Sequence, residues 1–219
     1  MVEIYYSHEQ SEIVKKWLSE NGSAMIMGLV IAFGGLFGFK QWQNWQENNR
    51  QQASTEYVVL SELLTAGQLD AAMANFQNLR DNYSSSPYTS MAALQMARAR
   101  LEASQTDLAV SLYEFVVENG YPKAMSVIAR VRLARVLLEL GTADKALEVV
   151  QAESNIFGFE SRYAEVRGDI YQTQGKVREA VAAYLEAFNT LEAGEGDRAT
   201  LVLKLESLGA DIPDVGSES

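Results

Sequence analysis

The chain has 219 residues, enough for one or two compact units, and its 29 acidic against 18 basic side chains leave a net charge of −11. That balance repels a phosphate backbone, so nucleic acid would need a strong local basic patch to bind. With no cysteine there is no disulfide, thiolate metal site or cysteine nucleophile, and one histidine, His8, supplies neither a metal cluster nor a second imidazole for proton shuttling.

A hydrophobic share of 47% with only three prolines describes a folded helical chain rather than a disordered one. Residues 1–22 form a first segment. Ile13, Val14, Trp17 and Leu18 share one helical face there, with Glu12, Lys15, Lys16 and Ser19 mostly elsewhere. An amphipathic helix at a membrane surface or against a partner fits this pattern, as does a plain extension of the helix that follows.

A membrane span and its flank are expected over residues 23–45. No charged residue stands between Glu20 and Lys40. As a helix, residues 21–39 would reach roughly 28 Å, about the thickness of a bilayer's hydrocarbon core. Trp17 on one side and Trp42 and Trp45 on the other sit where interfacial aromatics belong. A buried core helix is the soluble alternative. A cleaved signal is the other, but the preceding segment carries Glu3, Glu9, Glu12 and Glu20, unlike the short basic start of a signal, and the apolar run continues past Ala32-Phe33-Gly34. An uncleaved anchor is therefore expected. Within it Ala24, Gly28 and Ala32 recur every four residues, and Gly34 and Gly38 repeat that spacing, a ridge that lets another membrane helix approach closely. Charge does not orient the span: Lys15 and Lys16 precede it, Lys40 and Arg50 follow it.

A helical repeat domain is expected over residues 46–209, followed by a loose tail over 210–219. From Gln51 onward the chain carries 14 basic and 24 acidic residues. Four helix–turn–helix units align on Ala72, Ala109, Ala146 and Ala180, at intervals of 37, 37 and 34 residues. Five residues before each alanine lies a turn at Gly67, Ser104, Gly141 and Gly175. Seven before the turn come Leu60, Ala97, Ala134 and Gly168. Nine after it come Phe76, Tyr113, Val150 and Tyr184, large where the others are mostly small. Twelve after it come Leu79, Val116, Glu153 and Ala187, with Glu153 the departure. The spacing predicts helices over 48–65, 69–82, 87–103, 108–118, 123–140, 143–153, 160–173 and 177–191. Loops fall at 84–87 and 192–197. A last helix over 198–208, with Leu201, Leu205 and Leu208 inward, would cap the stack.

This pattern resembles the tetratricopeptide repeat. The expected fold is all-α: one N-terminal transmembrane helix, then a tetratricopeptide-like α-solenoid of about four hairpins with a C-terminal capping helix. In such an array the first helix of each pair lines the concave, usual binding side. That row would present Tyr57, Ser61 and Leu64; Met91, Leu94, Arg98 and Leu101; Val131, Arg135 and Leu138; then Glu165, Asp169 and Gln172. It runs apolar with two arginines in the middle and acidic at the far end, suited to an unfolded segment or a partner helix. Packing against neighbouring helices is the alternative role for Met91, Leu94 and Val131. Catalytic, cofactor and metal sites are not expected, because the chain has no phosphate loop, Gly-x-Ser-x-Gly or metal motif, and the i, i+4 spacing of Glu165 and Asp169 means little alone.

Specific runs add a family. Glu9-Gln10-Ser11-Glu12 leads into Val14-Lys15-Lys16-Trp17, Glu20-Asn21-Gly22 stands directly before the span, and Trp42 and Trp45 follow it. Arg132-Leu133-Ala134-Arg135-Val136 lies in the third unit and Arg167-Gly168-Asp169 in the fourth. Together these resemble the YfgM family, the ancillary subunit of the bacterial SecYEG translocon. The resemblance implies a single-pass inner-membrane protein with a cytoplasmic N-terminus and a periplasmic repeat domain. It implies association with SecYEG and with PpiD, a membrane-anchored periplasmic chaperone, and contact with newly translocated polypeptides, but no catalytic residue. The alternative function is a regulator of envelope-stress signalling that sequesters a signalling protein.

Overall fold

The computed structural model describes residues 3–156, 158–191 and 198–210. The expected loop at 192–197 and nearly all of the tail at 210–219 lie outside the described residues. Among those described, the secondary structure is α-helical, and the chain divides into units Met1–Gln52 and Ala53–Ser219.

The first helix, α1, runs Glu3–Thr65 without a break. No glycine or proline stands between Lys40 and Gly67, so nothing in the sequence interrupts the backbone ladder where the span gives way to the first repeat helix. The apolar part is long enough to cross a bilayer, and none of its most apolar 18-residue window is buried. A core helix would hide that surface against the protein. Here Ile26, Ile31, Phe33, Leu36 and Phe37 all stay more than 60% exposed, as lipid-facing side chains would.

In the second unit the end of α1 is followed by α2 (Leu69–Asn82), α3 (Pro87–Glu102), α4 (Thr106–Asn119), α5 (Lys123–Glu139), α6 (Ala143–Gln151), α7 (Glu160–Thr173), α8 (Val177–Thr190) and α9 (Arg198–Ser207). From α2 onward each helix packs on the next, and α3 meets α5 as α5 meets α7. The hairpins therefore stack in chain order, the arrangement that the repeat register predicts.

The four turns share one geometry. Gly67, Gly141 and Gly175 take φ of 71°, 75° and 72°, and Ser104 takes 59°. In each, the next amide bonds a carbonyl five residues back: Gln68 to Leu63, Gln105 to Arg100, Thr142 to Leu137 and Lys176 to Tyr171. This is the Schellman termination, which requires a left-handed residue at the helix end. Ser104 adopts it against the steric preference of an L-residue.

The small-to-large register becomes packing. Leu60, Ala97 and Ala134 are 0% exposed, and Phe76, Tyr113, Val150 and Tyr184 are 3% exposed or less. At Gly168 the fit is tightest, because a Cβ there would run into the Tyr184 ring. Leu79, Val116 and Ala187 are fully buried. Glu153, the departure at that position, pairs with Lys123 Nζ at 2.7 Å and accepts from the Asn155 amide at 3.1 Å. Leu201 and Leu205 of α9 join the Tyr184 cluster, so α9 covers the apolar end of the stack.

Buried hydroxyls lock successive hairpins. Thr89 Oγ1 donates to the Tyr83 carbonyl at 2.6 Å, and Ser126 Oγ to the Val116 carbonyl at 3.0 Å. Ser161 Oγ closes the fourth hairpin on the Ala187 carbonyl at 2.8 Å. Arg100, 4% exposed, reaches the Leu69 carbonyl at 3.1 Å. The three hydroxyls meet carbonyls in or just beyond the last turns of α2, α4 and α8, where the backbone ladder runs out, and Arg100 reaches the start of α2.

Candidate protein-binding face

The candidate face is built from the first helices of the hairpins. Its residues repeat at three register positions, so the stack sets them in rows. The first row is Tyr57, Leu94, Val131 and Glu165. The second is Ser61, Arg98, Arg135 and Asp169. The third is Leu64, Leu101, Leu138 and Gln172, and Met91 lies one helical turn before Leu94.

At the α1 end the polar groups are satisfied internally. Gln95 Nε2 donates to the Tyr57 hydroxyl at 2.8 Å, and Ser61 Oγ donates to Gln95 Oε1 at 3.0 Å. The Tyr57 ring tilts onto Tyr88 at 5.7 Å. Leu94 and Val131 are only 6% and 7% exposed, so their side chains serve the core clusters. Met91, Leu64, Leu101 and Leu138 are half-buried and keep apolar surface at the face.

The charged residues divide into two kinds. The Arg98 side chain is 78% exposed and, among the described residues, pairs with Glu102 of its own helix. Arg135 instead reaches Glu165 at 3.4 Å, and Lys204 of α9 bonds both Glu165 (2.8 Å) and Asp169 (2.6 Å). Asp169 Oδ1 and Gln172 Oε1 each lie 2.8 Å from the Tyr184 hydroxyl. The far end of the row is therefore not a free acidic surface. Its two carboxylates are neutralised across three helices, and an open pocket of about 360 Å³ remains beside them, with Arg162 and Thr200 among its lining.

Electrostatics follow from this arrangement. Burial raises the Tyr184 phenol well above its usual range, and the hydrogen bond and charge of Asp169, with Glu165, raise it further. Burial also pushes Tyr163 up to about 12; its hydroxyl donates to the Val127 carbonyl at 3.1 Å. Tyr113 is raised by burial and held back by the charges of Arg132 and Arg98. Among the described residues, no group of three or more His, Cys, Asp and Glu side chains is placed to hold a metal.

The span residues Ala24, Gly28, Ala32, Gly34 and Gly38 all lie on the exposed part of α1. At 100° per residue they fall within an arc of about 160°. A Cβ at Gly28, Gly34 or Gly38 would meet nothing within 4 Å, so the chain itself does not fill that ridge.

Sequence reasoning missed Lys204, Gln95, Arg132 and the locking hydroxyls. One signal was available, since Thr89 and Ser126 stand one 37-residue repeat apart.

A stack of helical hairpins in chain order, closed by an end helix, defines a helical-repeat protein. The chain belongs to the tetratricopeptide repeat-like domain family, whose model matches residues 15–210. It is 31% identical over 100 residues to the ancillary SecYEG translocon subunit of Haemophilus influenzae, covering 45% of this chain and 48% of that one. It is 29% identical over 98 residues (44% and 47%) to the protein of that name from Escherichia coli. With the Aggregatibacter actinomycetemcomitans protein of that name it shares 33% over 102 residues (45% and 48%). The chain thus spans about half the length of the curated relatives it matches. These matches bear out the YfgM-family resemblance drawn from the residues. A solved structure of MamA (residues 41 to the end) from Desulfovibrio magneticus is similar in fold alone. It superposes with a TM-score of 0.50 at 17% identity, covering 72% of this chain and 93% of that one.

Proposed function

We propose that this chain is a membrane-anchored, non-enzymatic scaffold that works as an ancillary subunit of the SecYEG translocon. Its span sits in the inner membrane with the N-terminus cytoplasmic. The repeat domain, on the periplasmic side, passes newly translocated polypeptides to a membrane-anchored chaperone of the PpiD type. The supporting observation is α1, one helix that carries both a charge-free, uncovered apolar stretch and the first helix of the repeat stack. The name borne by the relatives supports the choice of membrane partner.

The unfilled small-residue ridge is the surface through which the span would dock on a membrane partner. Replacing Gly28 and Gly34 with leucine should leave helical content and membrane extraction unchanged. It should also lower recovery of the channel complex with the tagged chain from detergent-solubilised membranes. Full recovery would count against the ridge, and no channel recovery with the unaltered chain would count against the function.

A further inference from the structure

The charge of the first-helix face is not that of the domain. From Gln51 onward acidic residues outnumber basic ones 24 to 14, yet α3 and α5 together hold six basic residues and only two acidic. These two helices pack directly on each other. Arg100 and Arg130 are committed to backbone carbonyls of neighbouring helices, Lys123 to Glu153 and Arg135 to Glu165. That leaves Arg98 and Arg132, both exposed; among the described residues Arg98 forms an ion pair with Glu102 of its own helix, and Arg132 has no hydrogen-bond or ion-pair partner.

The fourth unit shows what this register position does when it is filled. There the buried tyrosine, Tyr184, points its hydroxyl at Asp169 and Gln172, and a cation from the next helix, Lys204, lands on the carboxylates. In the second unit the equivalent tyrosine is Tyr113, and Asp169 and Gln172 are replaced by Arg98 and Leu101. Tyr113 is 3% exposed, lies within range of the Arg98 and Arg132 charges, and its hydroxyl has no hydrogen-bond partner among the described residues. The second unit therefore repeats the layout with the sign of charge inverted, and the counter-charge that Arg98 meets among the described residues is the exposed Glu102 of its own helix rather than a group from the next helix.

We propose that Arg98, Arg132 and the Tyr113 hydroxyl form a carboxylate-binding subsite, and that the segment docking on this face is an acidic stretch of a partner polypeptide. The proposal rests on the scaffold function above and names the chemistry of what the scaffold holds. Guanidinium groups match carboxylates through paired, charge-assisted hydrogen bonds, and a phenol adds a third donor. Half-buried Leu101, one turn beyond Arg98, offers apolar contact to the same segment. Glu102 is the competing anion, and both it and Arg98 are too exposed for their pair to hold firmly.

The test uses the full-length chain in nanodiscs and two fluorescein-labelled synthetic peptides of equal length. One carries Glu at every fourth position among Ala and Gln, and the other has Gln in place of each Glu. Anisotropy should show the acidic peptide binding about tenfold more tightly, with the preference fading as salt is raised. Arg98→Gln with Arg132→Gln should abolish that preference while circular dichroism is unchanged. Lys145→Gln with Arg178→Gln, an equal charge change at exposed positions of α6 and α8, should preserve it. Tyr113→Phe should weaken the acidic peptide a few-fold and leave the neutral one unaffected. Equal binding of the two peptides, or an acid preference that survives the arginine pair variant, overturns the proposal. If both peptides bind equally and both still crosslink to a photoreactive residue at Leu101, the scaffold function stands and only the charge assignment falls. If neither peptide binds and Leu101 crosslinks to no polypeptide in intact membranes, both fall.

Discussion

Gly168→Ala isolates the closest approach in the stack. A Cβ at residue 168 would lie 2.9 Å from Tyr184 Cζ and nearer still to Cε1 and Cδ1. The ring has little room to retreat, since Tyr184 is 0% exposed and its hydroxyl is held at 2.8 Å by Asp169 and Gln172. Alanine should gain about 1 kcal/mol from helix propensity. Against this, overpacking ordinarily costs about 1–3 kcal/mol, and expelling the ring altogether would approach the roughly 3–5 kcal/mol of losing a buried aromatic. We expect a net destabilisation of about 1–3 kcal/mol, near the middle of these limits. For a domain of this size that is a fall in Tm of roughly 2–4 °C per kcal/mol. The assay is thermal and urea unfolding of the full-length chain in detergent, followed by far-ultraviolet circular dichroism. Combining Gly168→Ala with Tyr184→Val recreates the Ala134 and Val150 combination of the third unit, so the double variant should lose less stability than the two single losses combined. A Gly168→Ala chain as stable as the parent, or more so, would refute the close-approach account.

Other expectations follow from the same geometry. Ser104→Gly removes a non-glycine residue from φ 59° and should stabilise the second hairpin by about 0.5–1 kcal/mol, read as a higher urea midpoint. The hydrogen bond from Lys123 holds the Glu153 carboxyl below its usual range, so the pair stabilises at neutral pH and is lost as pH falls through that lowered value. Lys123→Gln should accordingly make stability less sensitive to pH on the acid side. Tyr163 is raised to about 12, and Tyr113 and Tyr184 are raised as well. Their unfolded forms ionise first, so stability should fall as pH rises from the ordinary phenol value near 10 towards 12. Tyrosinate absorbance should then show three tyrosines titrating only with the loss of helix. Lys204→Met removes the cation that bridges Glu165 and Asp169, leaving Arg135 as the ion-pair partner of Glu165, and should cost about 1–3 kcal/mol in unfolding experiments; an unchanged midpoint would dismiss the bridge as a contributor.

Much of the fold was legible because the repeat is written in residue size and turn chemistry. Gly67, Gly141 and Gly175 end their helices where a left-handed residue is needed, and Ser104 was found only because the register required a turn there. The uninterrupted run of α1 was not anticipated: a span with its flank over 23–45 and a separate helix over 48–65 were expected, although no glycine or proline stands between Lys40 and Gly67. The candidate face was less legible. Leu94 and Val131 lie close to the boundary between the core stripe and the exposed stripe, and on a helix one residue turns a side chain by about 100°. The carboxylates at 165 and 169 read as a free acidic end because their counter-ion lies 39 and 35 residues further on, in a helix whose placement depends on the whole stack. Thr89 and Ser126 escaped because a lone hydroxyl at a helix start has many ordinary uses, and only the stack shows which carbonyl each one meets.

The central claim is that a bilayer-held stack of hairpins captures a polypeptide on its first-helix face beside the translocon. Photoreactive residues placed singly at Leu101, at Gln172, at Ser111 on α4 and at Ala182 on α8, in intact membranes with the channel present, test it most directly. Adducts with polypeptide from Leu101 and Gln172 alone, in membranes from which a Gly28 probe also yields a channel adduct, are the expected result. Adducts from Ser111 and Ala182 with silence at Leu101 and Gln172 would contradict it.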